Sequence, residues 1–151
     1  MLKIITVGSI KEKYLKDGIE EYTKRLKKYT SIEIIELKDE SFQDETKVKK
    51  TEGEKILKNI KDKDYVITLE IEGKQLTSVE LAKKIDQIYL TNSDITFVIG
   101  GSLGLSDEVK ARSNYALSFS KMTFPHQLFR LVLLEQIYRS YKINNNESYH
   151  K

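Results

Sequence analysis

The sequence predicts an α/β fold, a single mostly parallel sheet flanked by helices, and three observations carry that expectation. Apolar runs of strand length alternate with stretches whose apolar residues recur at steps of three and four. Ile95, Phe97, Val98 and Ile99 fall on both alternating faces of one strand, as expected of a strand covered by helices on each side. That strand runs straight into Gly100, Gly101 and Gly104 of FVIGGSLGL, and ligands of open α/β sheets bind at the ends of strands.

The elements follow in order. Leu2 to Val7 reads as the first strand, because its short apolar run soon meets KEKYLKD and does not suit a signal peptide. From Lys11 to Tyr29, Leu15, Ile19, Tyr22, Leu26 and Tyr29 form a helical stripe, and Ser31 to Leu37 then alternates into a second strand. Residues 41–55 are dense in charge and poor in apolar anchors, which predicts a mobile loop leading into a helix that ends near Ile60. Tyr65 to Ile71 is the third strand, closed by a turn at Glu72-Gly73-Lys74. Thr77 and Glu80 form a capping box for a helix with Val79, Leu81, Ile85 and Ile88 on one stripe. Ile95 to Ile99 is the fourth strand. Ser106 with Asp107 and Glu108 opens a short helix, and Tyr115 to Phe119 is a fifth, short strand. Pro125, the only proline, suits the first turn of a helix to about Lys142 whose apolar side includes Leu128, Val132 and Tyr138.

A chain of 151 residues has the size of one domain with one core, so residues 1–151 are expected to form a single domain. Cysteine is absent, which removes disulfides, thiolate metal sites and cysteine nucleophiles. With His126 and His150 the only imidazoles, no metal site is expected. No segment approaches the roughly 20 apolar residues that span a bilayer, so the expected protein is soluble and cytoplasmic with no membrane partner. Residues 109–151 hold seven basic and two acidic side chains, against 19 and 21 in the rest. Interleaved with Tyr115, Tyr138, Tyr141 and Tyr149, these cations permit an RNA partner, although an ordinary solvated helix face has the same composition.

GGSLG has neither the spacing of a dinucleotide fingerprint nor the lysine of a phosphate loop, and Ser102 lacks the context of a serine nucleophile. What remains is a tight turn after a core strand, or a site for a neutral or cationic ligand held by backbone groups. Three function classes stay open on this basis. They are an enzyme acting on RNA, a noncatalytic RNA-binding module, and a small nucleotide-binding enzyme without an RNA substrate.

VITLEIEGK at 66–74, FVIGGSLGL at 97–105, SNYALSFSKMTFPHQ at 113–127 and the terminal ESYHK resemble the SPOUT-class large-subunit rRNA pseudouridine N3-methyltransferases, the rRNA large subunit methyltransferase H family. The resemblance spans essentially the whole chain. It implies a homodimer whose C-terminal segment is threaded through a trefoil knot, with S-adenosyl-L-methionine as cofactor and 23S rRNA of the large subunit or assembled ribosome as substrate. By the same resemblance the cofactor loops fall on Leu69, on Gly100, and on Phe119, Ser120, Lys121, Met122, Thr123 and Phe124. Tyr149 and His150 are then expected to form the RNA-side wall at the partner subunit's site, with Arg130, Arg139 and Lys142 contacting phosphate. The chain departs from the family at Asn145-Asn146, where members can carry Arg-Gly. Asparagine tolerates the left-handed turn that glycine supplies, but a phosphate contact from that arginine is lost.

Overall fold

The computed structural model describes residues 1–151. Its elements are β1 (Leu2–Val7), α1 (Lys13–Leu26), β2 (Ile32–Leu37), α2 (Glu45–Lys58), β3 (Tyr65–Gln75), α3 (Ser78–Tyr89), β4 (Ile95–Ile99), α4 (Asp107–Arg112), β5 (Tyr115–Ser118) and α5 (His126–Asn144). The five strands form one sheet in the order β2-β1-β4-β3-β5, and every pairing is parallel.

Strand alternation divides the core into two layers. Leu2, Ile4, Ile67, Ile95, Phe97 and Ile99 point to the face covered by α1, α3 and α5, where Leu26, Ile85, Leu133 and Ile137 meet them. Ile5, Val7, Val66 and Val98 point the other way, onto Ile56 of α2 and Val109 of α4. Phe97 has no exposed surface, and truncating so buried a ring to alanine typically costs about 3–5 kcal/mol. Lys3 is buried at the N-terminal edge of the sheet, where Nζ donates to Asp64 Oδ2 at 3.3 Å and to the Asn59 carbonyl at 2.9 Å. Thr96 and the Lys61 amide donate to the same Asp64 oxygen, so the charges stay out of water with their bonds made.

Three expectations are corrected. Residues 45–55, expected within a mobile loop, are the first turns of α2, which Asp44 caps by accepting from the Thr46 amide at 2.9 Å. Its buried face, Val48, Glu52, Gly53 and Ile56, contains only two aliphatic residues, so the helical stripe is nearly silent in hydropathy. β3 does not end at Ile71. It continues to Gln75 around an irregularity in which Leu117 pairs with both Leu69 and Lys74, leaving residues 70–73 as an excursion. Gly73 passes so close to β5 that a Cβ there would lie 2.7 Å from the Ala116 carbonyl oxygen. Finally, Pro125 is the cap residue of α5, with ψ of 128°, and the helix begins at His126. Its buried side is Phe129, Leu133, Leu134, Ile137, Tyr138 and Tyr141, while Leu128 and Val132 are half-buried.

Candidate active site

The C-terminal ends of β4, β3 and β5, neighbours in the sheet, open into a cleft of about 560 Å³. Leu69 from β3, Gly100 after β4, and Phe119, Ser120, Met122, Thr123 and Phe124 after β5 all line it. Lys121 of the same loop does not, and it is exposed. Local chemistry shapes the loop after β5. The Ser118 hydroxyl donates to the Ser120 carbonyl at 3.0 Å, and the Ser120 hydroxyl accepts from the Met122 amide at 3.0 Å. Phe119 and Phe124 then pack on Phe129 of α5, with ring centroids 4.9 and 5.7 Å away. Such aromatic pairs contribute about 0.5–1.5 kcal/mol beyond area burial, which fixes a wall that sequence alone would leave loose.

Gly100 and Gly101, expected to let backbone approach a ligand, also face protein at close range on their other side. A Cβ on Gly100 would lie 2.8 Å from Leu105 Cδ2 and 3.1 Å from the Gly104 carbonyl carbon and oxygen. One on Gly101 would lie 3.1 Å from Glu52 Oε1 and 3.3 Å from Val7 Cγ1. Gly104 has φ of +86°, the left-handed region that side chains resist, and its amide closes the turn onto the Gly101 carbonyl at 3.1 Å.

The cleft also contains residues the motifs did not single out. Glu70 and Ile71 enter from the 70–73 excursion, Ser102 from the glycine loop, and His126 from the start of α5. His126 was visible in TFPHQ but reads there as a helix-start residue, and only folding shows which way it faces. Glu70 and His126 are the only titratable side chains in the lining, and no lysine or arginine enters it. Glu70 Oε2 accepts from the Thr68 hydroxyl at 2.6 Å.

The predicted RNA-side residues gather elsewhere. Tyr149 and His150 do not line the cleft of their own protomer. Tyr149 donates to Glu135 Oε2 at 2.8 Å, Arg139 Nη2 donates to the same oxygen at 3.0 Å, and Arg139 Nη1 lies 3.0 Å from His150 Nδ1. Burial, reinforced by Glu135, pushes the Tyr149 phenol above its ordinary range. Lys142 pairs with Glu147 at 3.1 Å, and the hydroxyl of Tyr29 donates to Glu147 at 2.8 Å. Arg130 requires correction. It is 1% exposed, paired with Glu36, and donates to Thr6 Oγ1 at 2.6 Å and the Gly8 carbonyl at 3.0 Å. A guanidinium so enclosed does not meet phosphate; it ties α5 to β1 and β2. Asn146 adopts φ of 55°, the left-handed turn anticipated for this segment.

A parallel sheet with an apolar cleft at adjoining strand ends defines a ligand-binding α/β protein, and its family is shown by comparison. The chain belongs to the SPOUT methyltransferases, since the family model described as Predicted SPOUT methyltransferase matches residues 1–150. It is similar along its length to proteins named ribosomal RNA large subunit methyltransferase H. It is 55% identical to that of Clostridium acetobutylicum and 57% identical to those of Clostridium botulinum (strain Alaska E43) and Clostridioides difficile (strain 630). Each match covers 99% of both chains. No helix is long and apolar enough to cross a membrane, and no group of three His, Asp or Glu is placed to hold a metal ion.

Proposed function

We propose that this protein uses S-adenosyl-L-methionine to methylate N3 of a pseudouridine in 23S rRNA, acting as a cytoplasmic homodimer on the large subunit or assembled ribosome. The observation that supports this most is the convergence of three adjacent strand-end loops on one cleft of about 560 Å³. That volume lies in the range of small-ligand and cofactor sites. The walls fit the cofactor: apolar side chains and loop backbone suit adenosine, and no lysine or arginine in the lining opposes a sulfonium.

Bound S-adenosylmethionine supplies an electrophilic methyl group. The chain's own contribution is position. Phe119, Phe124 and Leu69, which line the cleft, would hold the adenosine portion, and the glycine loop would close the side nearest β4. Holding donor and acceptor in line at near-attack distance removes much of the entropic barrier to their encounter.

The placement of the C-terminal tail on α5 supports the homodimer. His126 stands at the cleft end of this 19-residue helix, while Tyr149 bonds to Glu135 at its middle and packs on Tyr138 just beyond. None of Tyr149, His150, Arg139 and Lys142 lines the cleft of its own protomer, and in this reading they act at the partner's. The knotted C-terminal segment implied by the family resemblance belongs to the same proposal.

Two experiments test this. Calorimetry with S-adenosylmethionine should give binding heat, and its absence would return the protein to the RNA-binding modules. Mass mapping of rRNA from cells lacking the protein should reveal one missing methyl on a pseudouridine, and an unchanged map would defeat the substrate assignment. Assays on intact ribosomes and on free rRNA then separate assembled from naked substrate. If His150→Ala and Tyr149→Phe both leave single-turnover methylation unchanged, the tail has no place at the site.

A further inference from the structure

Methylation of a ring N–H leaves a proton that some group must accept. The cleft lining offers two titratable side chains, and they are not equivalent. Glu70 already accepts from Thr68 at 2.6 Å, whereas the imidazole of His126 has no hydrogen-bond partner in the chain. His126 is also firmly mounted. It is the first residue of α5, behind the Pro125 cap, and the next side chain, Gln127, accepts from the Lys11 amide at 3.4 Å. Gly8 runs beside the ring. Its φ of +99° favours glycine, and a Cβ there would lie 3.6 Å from His126 Nε2. Arg130, one turn along α5, fixes the carbonyl of that glycine at 3.0 Å. Arg130 is in turn paired with Glu36, and Glu70 shares the cleft lining with His126.

We propose that His126 is a catalytic residue of the methyl transfer, the imidazole that takes the N3 proton of the acceptor base. This rests on the function proposed above. In the step, the bond from sulfur to the methyl carbon breaks with its electron pair going to sulfur. A bond from N3 to that carbon forms, and the N3 proton passes to an imidazole nitrogen and then to solvent. Neutral imidazole is the side chain suited to accept a proton near neutral pH, and general bases of this kind contribute about 100-fold to 10,000-fold in rate.

The test uses the intact homodimer with His126→Asn and His126→Ala. Two histidines give a simple proton spectrum, and the His126 C2–H signal, assigned by its loss in His126→Asn, should move when S-adenosylhomocysteine is added. Calorimetry should show S-adenosylhomocysteine bound within threefold of wild type by both variants. Single-turnover methylation of ribosomes should fall at least 100-fold, and free imidazole should restore part of the rate to His126→Ala only. A rate within threefold of wild type, a loss of affinity that accounts for the loss of rate, or no rescue by imidazole would each overturn the assignment. If wild-type protein binds S-adenosylhomocysteine but transfers no methyl to ribosomes, the functional proposal itself is what fails.

Discussion

The hydroxyl of Tyr149 and the Nη2 of Arg139 converge on a single oxygen of Glu135, at 2.8 and 3.0 Å, so one carboxylate fastens the end of the chain to α5. Tyr149 also packs edge-on against Tyr138, with centroids 5.1 Å apart, and lies under the Arg139 guanidinium. Tyr149→Phe keeps the packing and removes one donor. A stability loss of about 1 kcal/mol is expected, a fall of a few degrees in Tm by calorimetry, because Arg139 and Gln136 still serve Glu135.

The same phenol predicts a response to alkali. Its folded value is raised above the ordinary value of about 10, so the stability it contributes is fully present below that value and is lost as pH rises toward the folded one. Tyrosinate absorbance from Tyr149 should therefore develop only above the ordinary range, and Glu135→Gln should lower its midpoint in part, since burial, the larger cause, remains.

Glu147 predicts the acid side. Bonds from Tyr29 and then Lys142 hold its carboxyl below the usual range, so its contribution is present above the unfolded value and vanishes as pH falls through the lowered one. Amide exchange in residues 145–151 should accelerate in that window before α5 does. Glu147→Gln should show fast tail exchange already at neutral pH.

Glu36 is 45% exposed, where a glutamate is ordinarily worth little, but it neutralises Arg130, which is buried. Glu36→Ala leaves that guanidinium without its counter-charge. A loss of about 3 kcal/mol is expected in urea unfolding, several times that of a control such as Glu20→Ala.

Gly53→Ala tests the join between α2 and α4. Its Cβ would fall 2.3 Å from Ser106 Oγ, the oxygen that caps α4 by accepting from the Val109 amide at 3.3 Å. Overpacking should cost about 1–3 kcal/mol by thermal unfolding, and adding Ser106→Gly should restore a large part of it.

Asn145 stands where family members can carry arginine. Its Nδ2 donates to the Tyr141 carbonyl at 2.7 Å, and the residue is exposed. Asn145→Arg should tighten ribosome binding with a steeper dependence on salt if the tail meets phosphate, by about one unit of slope on a double-logarithmic plot.

The strands and most helices were legible because their signals are local. Ile95 to Ile99 declares a buried strand by itself, and the Thr77–Glu80 capping box is present with both of its bonds. The loops of the cleft were legible through the motifs of the family. What escaped was set by partners distant in sequence. Arg130 looks like a phosphate ligand until Glu36, 94 residues earlier, is folded against it. α2 hides because a carboxylate and a glycine, Glu52 and Gly53, occupy half of its buried face, and their fit to Gly101 and Ser106 exists only after folding. His126 is ambiguous for the same reason: its neighbour Gly8 lies at the other end of the chain.

The excursion at residues 70–73 leaves β3 after Leu69 and rejoins it at Lys74, and both of these residues pair with Leu117. The lip of the cleft is therefore inserted between two points that β5 already holds together. Its ends are closed whatever it contains, so adding a residue there costs little chain entropy and shifts no register in the sheet. Changes at Glu70 and Ile71 are therefore expected to alter the lip of the cleft before they alter the fold beneath it, with Gly73 the fixed point where the excursion passes β5.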